Sequence, residues 1–236
     1  MNTASSLALV IGSGGGIGVA MLSQLQSDTS YNQAIGLSRS TEVSVNYFDE
    51  TSVAKAAQSV ASLCETSNLQ LRLLVVATGF LHGDAGQPER SFTNMDPAYL
   101  TQVFQINTLG PALVMKHFLP LMPKTGRCVA GFVSAKVGSI GDNALGGWYG
   151  YRASKAALNQ LVKTASIEMT RRNKESICVS LHPGTVATRL SQPFAKTGLN
   201  VRPATEAATD LLAVLAGLNP ADTGCLIDYQ GQKIPF

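Results

Sequence analysis

Two side chains that can move a proton stand four positions apart, Tyr151 and Lys155, at the start of the helical segment YRASKAALNQLVKTASIEM. Helical residues with this spacing lie on one face, so we expect the phenol and the ammonium group side by side. A free phenol has a pKa of about 10, and a neighbouring positive charge favours its ionised form. The spacing therefore predicts a general acid or base. Tyr149 lacks such a partner, because Ala153 stands four positions further on.

A glycine-rich loop, VIGSGGGIG, lies between the first apolar run and the first helical segment. Gly12, Gly16 and Gly18 permit a tight turn there, and they let the backbone come close to a phosphate. Free amides at the start of the helix then bind the anion. We therefore predict that this loop holds the pyrophosphate of a dinucleotide, with Ser13 and Ile17 as further contacts.

The second apolar run, AIGL, ends in Ser38, Arg39 and Ser40 rather than in a carboxylate. In dinucleotide-binding folds a carboxylate at this place holds the ribose 2′-hydroxyl of NAD, whereas an arginine accommodates the 2′-phosphate of NADP. Guanidinium and hydroxyl donors suit a phosphate because they form charge-assisted hydrogen bonds with it. The sequence therefore predicts NADP(H), preferred over NAD(H). Asp49 either caps the following helix or binds the adenine amino group, and both interpretations stay open.

The elements that must position these residues alternate along the chain. Nearly continuous apolar runs, which are typical of parallel strands covered on both faces, alternate with longer segments of helical periodicity. The apolar runs are 7–11, 34–37, 71–77, 127–133, 176–181 and 225–229, and the helical segments lie near 17–27, 50–66, 97–122, 151–172 and 204–217. This alternation predicts one α/β domain over residues 1–236, a doubly wound Rossmann-type parallel sheet with helices on both faces.

The composition argues against several classes of protein. Of the 236 residues, 45% are hydrophobic and 14% are charged, and the net charge is only +3. We therefore expect no nucleic-acid partner. The four cysteines lie far apart without the spacing of metal ligands, so we expect no metal and a reducing compartment. The first residues lack the basic start of a signal peptide, and no apolar run approaches the roughly 20 residues of a membrane span, so we expect a cytoplasmic protein.

Taken in order, these motifs make the chain resemble the short-chain dehydrogenase/reductase family over nearly its whole length. The glycine loop matches the TGxxxGxG motif, with Ile11 in place of the threonine, and Tyr151 with Lys155 matches the YxxxK motif. The resemblance assigns Asn107 to a proton relay through a water molecule. It also assigns cofactor contacts to a PGxVxT stretch, formed by Pro183, Gly184, Val186 and Thr188.

The chain departs from the family pattern in two places. The usual NNAG is replaced after the third apolar run, where the backbone could still line the cofactor at Ala77, Thr78 and Gly79. The second departure is Ala135, which stands where the family's substrate-binding serine is usual. Ser134, one residue earlier, and Ser139, four residues later, could replace it. We favour Ser134, and the alternatives of Ser139 or neither stay open.

The stretches GSIGDN, GGWYGYRASKAALN and DYQGQKIPF are similar to a subgroup of carbonyl reductases related to Drosophila sniffer and to the bacterial C-factor. The resemblance implies an NADP(H)-dependent oxidoreductase that reduces an aldehyde, ketone or quinone, with Tyr151 as general acid and base. It also implies that Lys155 lowers the pKa of Tyr151 and holds the ribose hydroxyls of the cofactor, so that both residues contact the cofactor. It further implies a substrate loop at about 189–203 and a homodimer or homotetramer formed through the helices near 97–122 and 151–172. A non-catalytic NADP(H)-binding regulator and a C-factor-like signalling protein are the alternative functions.

Overall fold

The computed structural model describes residues 5–84, 86–191 and 201–236. Each predicted apolar run forms a strand, and three more strands of two residues each are too short for a hydrophobic pattern to predict. The strands are β1 (Ser5–Ile11), β2 (Gln33–Leu37), β3 (Leu69–Val76), β4 (Cys128–Val133), β5 (Ser176–His182), β6 (Thr185–Val186), β7 (Val201–Arg202), β8 (Leu226–Asp228) and β9 (Lys233–Ile234).

The helices begin and end close to the predicted bounds. They are α1 (Gly16–Ser27), α2 (Glu50–Thr66), α3 (Pro97–Phe104), α4 (Gly110–Phe118), α5 (Tyr149–Arg172) and α6 (Ala204–Gly217). The helix predicted near 97–122 is not continuous, because a π-helical turn, Gln105–Leu109, separates α3 from α4. Asp96 caps α3 as its sequence context predicts: its carboxylate accepts a hydrogen bond of 2.8 Å from the Tyr99 N–H.

Seven strands form the central sheet in the order β2-β1-β3-β4-β5-β8-β9. All neighbouring strands are parallel except β8 and β9, which are antiparallel. Strands β6 and β7 form a separate parallel pair. The prediction of a Rossmann-type parallel sheet is therefore confirmed for the body of the sheet, and the antiparallel edge strand β9 is an addition to it.

Side chains that alternate along the strands build two cores, one on each face of the sheet. In β1, Leu7, Leu9 and Ile11 pack with residues of α2, α4 and α5. Ala8 and Val10 point to the other face and pack with residues of α1 and α6. Because every second residue of a strand faces the same side, a continuous apolar run can serve both cores. Helices cover both faces, as predicted.

The chain reverses its direction of travel across the sheet at β1. Strand β2 pairs with one side of β1 and β3 with the other, so that Ile11 lies beside Leu37 on one side and Val76 on the other. Open α/β sheets bind ligands at such a switch point, outside the carboxyl ends of the strands. The fold thus brings the loops after β1, β2 and β3 to one edge. Among the described residues, none of the helices is both long enough and apolar enough to cross a membrane.

Candidate active site

A cleft of about 1180 Å³ runs along the carboxyl edge of the sheet. Its walls come from the loops that follow β1, β2, β3, β4 and β5 and from the first turn of α5. Most of the residues predicted to bind a cofactor line it: Gly12, Gly16, Ile17, Ser38, Arg39, Ala77, Thr78, Gly79, Tyr151, Lys155, Pro183, Gly184, Val186 and Thr188. Ser13, Gly18 and Asp49 do not.

The glycine loop after β1 is packed too tightly for side chains. Gly12 has a φ of +89°, and a Cβ there would lie 2.8 Å from the Thr78 Cγ2. A Cβ on Gly18 would lie 2.1 Å from the Gly12 carbonyl oxygen. Gly18 therefore packs against the backbone of the loop and does not face the cleft. No side chain caps α1, whose first turn faces the cleft at Gly16 and Ile17. Uncapped amides at a helix start are an anion site, so the loop fits a pyrophosphate.

The loop after β2 presents hydroxyl groups and a guanidinium group to the same cleft. The Oγ atoms of Ser38 and Ser40 lie 3.1 Å apart, and the Ser38 Oγ also accepts the Ser40 N–H at 3.2 Å. Arg39 is exposed, and within the described part of the chain no carboxylate forms an ion pair with it. A guanidinium group without a carboxylate partner next to two hydroxyls fits a phosphate.

Asp49 lies outside this cleft. Its carboxylate accepts a hydrogen bond of 2.9 Å from the Thr51 N–H and caps α2, which is the first of the two interpretations that its sequence context allowed. Tyr47 and Phe48 line the cleft instead. The buried Tyr47 hydroxyl lies 3.1 Å from the Thr78 Oγ1, while the Phe48 ring is 61% exposed. The sequence reasoning missed both residues, although an aromatic pair directly before a helix cap was an available signal.

Tyr151 and Lys155 lie together at the other end of the cleft. Both are buried, and the Lys155 Nζ lies 5.9 Å from the centroid of the Tyr151 ring. This Nζ also donates a hydrogen bond of 3.0 Å to the Val133 carbonyl oxygen. Burial raises the pKa of the Tyr151 phenol above its ordinary value, contrary to the expectation that Lys155 lowers it, and burial also lowers the pKa of Lys155 itself to about 7. At neutral pH the phenol therefore carries its proton, and the lysine can give up or take up one.

Asn107 stands in the π-helical turn between α3 and α4 and is fully buried. Its Oδ1 accepts the Phe80 N–H at 2.8 Å, and its Nδ2 donates to the Phe80 carbonyl at 2.8 Å and to the Ser154 Oγ at 3.1 Å. The side chain thereby ties the loop after β3 to α5, one residue before Lys155. It does not line the cleft. Single π-helical turns inside α-helices are frequent at functional sites.

Both candidate serines are engaged within the protein. The Ser134 hydroxyl donates a hydrogen bond of 2.7 Å to the Asn159 Oδ1, and the Ser139 Oγ accepts the Asp142 N–H at 3.1 Å. Ser134 lies at the cleft wall, whereas Ser139 does not. Ala135, which stands at the family's usual serine position, packs in one apolar cluster with Tyr151.

Trp148 forms a wall of the cleft next to Tyr151. The two ring centroids lie 6.1 Å apart with an interplanar angle of 76°. Trp148 is the N-cap of α5 and has a left-handed backbone, with φ 55° and ψ 42°, after two left-handed glycines, Gly146 and Gly147. This conformation costs a non-glycine residue about 1 kcal/mol. Tyr149, the next residue, is 38% exposed and does not line the cleft.

The turn after β5 closes the cleft over the glycine loop. A Cβ on Gly16 would lie 2.9 Å from the Thr188 Cγ2, so the absence of a side chain at Gly16 lets the two loops meet. Arg189 and Leu190 continue the lining, and the His82 Nε2 lies 3.0 Å from the Arg189 carbonyl oxygen.

Of the predicted substrate loop at about 189–203, residues 192–200 lie outside the described residues. Elsewhere in the described chain, no three His, Cys, Asp or Glu side chains come together in a way that could hold a metal ion.

The parallel sheet with a reversal at β1 and the uncapped glycine loop define a Rossmann-type fold, and the buried tyrosine–lysine pair lies at the same edge of its sheet. The chain belongs to the short chain dehydrogenase family, whose sequence model matches residues 6–198. It is therefore an oxidoreductase.

Individual proteins resemble the chain in sequence or in fold. It is 36% identical over 143 residues to the C-signal of Myxococcus xanthus, a match that covers 61% of this chain and 82% of that protein. The NADPH-bound carbonyl reductase from chicken fatty liver superposes with a TM-score of 0.83 at 23% identity, covering 98% of this chain and 94% of that one. The carbonyl reductase Sniffer of Drosophila melanogaster gives a TM-score of 0.82 at 21% identity, covering 98% of this chain and 99% of that one.

Proposed function

We propose that this oxidoreductase uses NADP(H) to reduce the carbonyl group of a small, largely apolar aldehyde, ketone or quinone. The observation that carries the proposal is the buried Tyr151–Lys155 pair at one end of a cleft whose other end presents Arg39, which no carboxylate of the described residues pairs with. Two similar structures, the chicken carbonyl reductase and a short-chain dehydrogenase/reductase of Burkholderia multivorans, carry NADPH and NADP respectively, which supports the choice of cofactor.

Different residues of the cleft would hold different parts of this cofactor. The amides of the glycine loop would hold the pyrophosphate, and Arg39 with Ser38 would hold the 2′-phosphate. Thr188 and the Pro183–Gly184 turn would lie at the nicotinamide end. When bound, the reduced nicotinamide supplies a hydride to the substrate carbon.

Tyr151 supplies the proton that the reduction needs. Since burial raises its pKa, the phenol is protonated at neutral pH and can donate to the carbonyl oxygen as negative charge develops there. The neighbouring Lys155 stabilises the resulting phenolate and, with a pKa lowered to about 7, returns a proton to it. Asn107 supports this exchange by fixing the loop after β3 against the turn of α5 that precedes Lys155.

Fewer hydrogen-bond donors lie beside the Tyr151 phenol than the family pattern places there. Ala135 packs in the apolar cluster with Tyr151, and the Ser134 hydroxyl is donated to Asn159. We therefore propose that Tyr151 polarises the substrate oxygen alone. The apolar side chains of Leu81, Trp148 and Leu190 around it favour an apolar substrate over a charged one.

The test is a panel of aldehydes, ketones and quinones in which NADPH oxidation is followed at neutral pH. Tyr151→Phe should lower kcat about a thousandfold, the mid-range for losing a general acid. The variant keeps the aromatic ring at the cleft wall, so it should still bind NADPH. Tyr149→Phe is the matched control, because Tyr149 lies on the same helix turn but outside the cleft, and it should keep wild-type turnover.

A second candidate function, an NADP(H)-binding regulator or signalling protein without catalysis, is favoured by the likeness to C-signal and by Ala135. It predicts tight NADPH binding without turnover on any member of the panel. That outcome would replace the reductase proposal. Turnover that Tyr151→Phe abolishes would instead exclude the non-catalytic alternative.

We also propose that the protein works as a homodimer or homotetramer. Leu109 in the π-helical turn and Ile167 on α5 are apolar side chains that are 50% and 47% exposed, on the helices expected to form the contact. Light scattering coupled to size-exclusion chromatography measures the mass directly, and a monomer at micromolar concentration would refute this assembly.

A further inference from the structure

The helix that carries Tyr151 and Lys155 starts at a residue that cannot cap it. Trp148, the N-cap of α5, makes no side-chain capping hydrogen bond. The first amides of a helix nevertheless need acceptors. Glu89, from the loop after β3, supplies acceptors for two of these amides. Its carboxylate accepts the Gly150 N–H with both oxygens, at 3.2 and 3.1 Å, and its own carbonyl oxygen accepts the Trp148 N–H at 2.5 Å.

Glu89 is only 2% exposed, and within the described residues no Lys, Arg or His forms an ion pair with it. A buried carboxylate is costly unless it is well hydrogen-bonded. Its compensation here is the N-terminus of the 24-residue helix α5, whose dipole and free amides favour negative charge. The carboxylate is thus bound to one specific place, the first turn of the helix that carries Tyr151.

The chain makes room for this contact at Gly150. A Cβ there would lie 2.9 Å from the Glu89 Oε1 and 2.7 Å from the Leu100 Cδ2. A larger residue would push the carboxylate away from the amide. Helix propensity alone would favour alanine at such a position, so the glycine serves the close approach of Glu89.

Arg152 holds the same turn from the carbonyl side. Its Nε donates to the Gly147 carbonyl at 2.9 Å and its Nη2 donates to the Gly146 carbonyl at 3.1 Å. The backbone carbonyl of Glu89 thus accepts the last amide of the left-handed turn 146–148, and Arg152 binds its first two carbonyls. The Glu89 carboxylate binds the amide two residues further on, at Gly150. Between the two contacts stands Trp148, with its ring against Tyr151.

We propose that Glu89 is a positioning residue, which with Arg152 locks the left-handed turn before α5 and so sets the place of the Trp148 ring and the Tyr151 phenol. The inference rests on the proposed function, because its effect on turnover needs Tyr151 to be the acid. The Glu89 carboxylate touches neither the phenol nor Lys155. It acts through the Gly150 amide in the first turn of α5, directly before Tyr151.

Trp148 is the only tryptophan of the chain, so the emission of the protein reports directly on this turn. In the full chain, E89A should shift the tryptophan emission to longer wavelength and lower kcat about a hundredfold, the effect of misplacing a catalytic group by about 1 Å. The Kd for NADPH, measured by calorimetry, should stay within about twofold, since Glu89 does not line the cleft. E89Q keeps an oxygen that accepts the Gly150 N–H, and it should restore the emission and bring kcat within about tenfold of wild type.

Glu175 is the matched control. Its carboxylate also accepts a backbone N–H, from Gly126 at 3.0 Å, at the opposite edge of the sheet, and E175A should keep wild-type emission and kcat. Wild-type emission and kcat in E89A would overturn the proposal, and so would an E89Q variant as slow as E89A. Should E89A fail to fold, R152A replaces it: a red shift with reduced kcat supports the lock, and wild-type values refute it. If wild-type protein turns over no carbonyl, the proposed function fails, and the emission of E89A alone decides whether the lock exists.

Discussion

The two ends of the cleft are built by opposite means. The end proposed for the cofactor is built mainly from short runs of neighbouring residues, Gly12–Gly18 after β1 and Ser38–Ser40 after β2. The end proposed for catalysis consists of large buried side chains brought from distant segments, with Tyr151 and Lys155 on α5 packed among residues that follow β3 and β4 or end β4. At the first end, the space available for added atoms limits which residues fit. At the second end, the free-energy cost of burying polar groups sets the limit.

The difference has consequences for substitution. An atom added at Gly18 meets the backbone of the glycine loop, which cannot move aside, so both folding and binding suffer. Removing a polar group at the catalytic end relieves a burial cost while it destroys chemistry, so stability and activity change in opposite directions. Four substitutions test whether the two ends differ in this way.

Gly18→Ala should destabilise the protein by about 3 kcal/mol, at the upper end for overpacking a closed site, because its Cβ would lie 2.1 Å from the Gly12 carbonyl oxygen. Helix propensity predicts the opposite sign at this position of α1. Gly14→Ala is the matched control, since the nearest atom to its Cβ, the Ser38 Cβ, is 3.6 Å away. Urea unfolding measures both variants, and equal stabilities would show that space does not limit the glycine loop.

Arg39→Ala should weaken NADPH binding about thirtyfold, which corresponds to one charge-assisted hydrogen-bonded contact of about 2 kcal/mol. The affinity for NADH should change by less than about twofold, since NADH has no 2′-phosphate. Calorimetric titration of each cofactor gives the ratio. An equal loss for both would mean that Arg39 contributes only general positive charge and would refute the predicted cofactor preference.

Ala135→Ser should raise kcat/KM about tenfold on the best substrate of the panel, because a hydroxyl beside Tyr151 adds a donor aimed at the developing oxyanion. The gain is smaller than a full oxyanion contact because the surrounding site has not been shaped for it. Ala144→Ser, on an exposed loop, is the control for a serine added elsewhere. An unchanged kcat/KM would show that Tyr151 needs no second donor.

Lys155→Met should abolish turnover and yet stabilise the protein by about 1 kcal/mol at pH 7, a rise in Tm of about 3 °C for a chain of this size. Burial lowers the pKa of Lys155 from 10.5 to about 7, so between these values the unfolded chain binds a proton that the folded protein does not. Wild-type stability must therefore rise with pH across that window, and the advantage of Lys155→Met must shrink. Urea unfolding from pH 7 to 9.5 compares the two, and a constant difference would contradict the lowered pKa.

Local patterns account for most of the correct predictions. The bounds of α2 and α6 match the predicted 50–66 and 204–217 because capping and helical periodicity are properties of neighbouring residues. Tyr151 and Lys155 share a helix face for the same reason. The π-helical turn inside the predicted helix 97–122 has no local signal, because it reflects the contacts of Asn107 with Phe80 and Ser154.

The sequence by itself therefore determined the fold class, the glycine loop and the tyrosine–lysine pair, since each depends on residues within one turn or one strand–helix junction. Only the tertiary structure decided which hydroxyl groups are engaged and what holds the start of α5. Ser134 and Ser139 differ by their partners Asn159 and Asp142, of which Asn159 lies far away in the chain. Glu89 belongs to no motif of its irregular stretch, and the amide that its carboxylate accepts lies 61 residues further on. Burial and hydrogen-bond partners depend on which segments meet, and the spacing of residues along the chain does not contain that information.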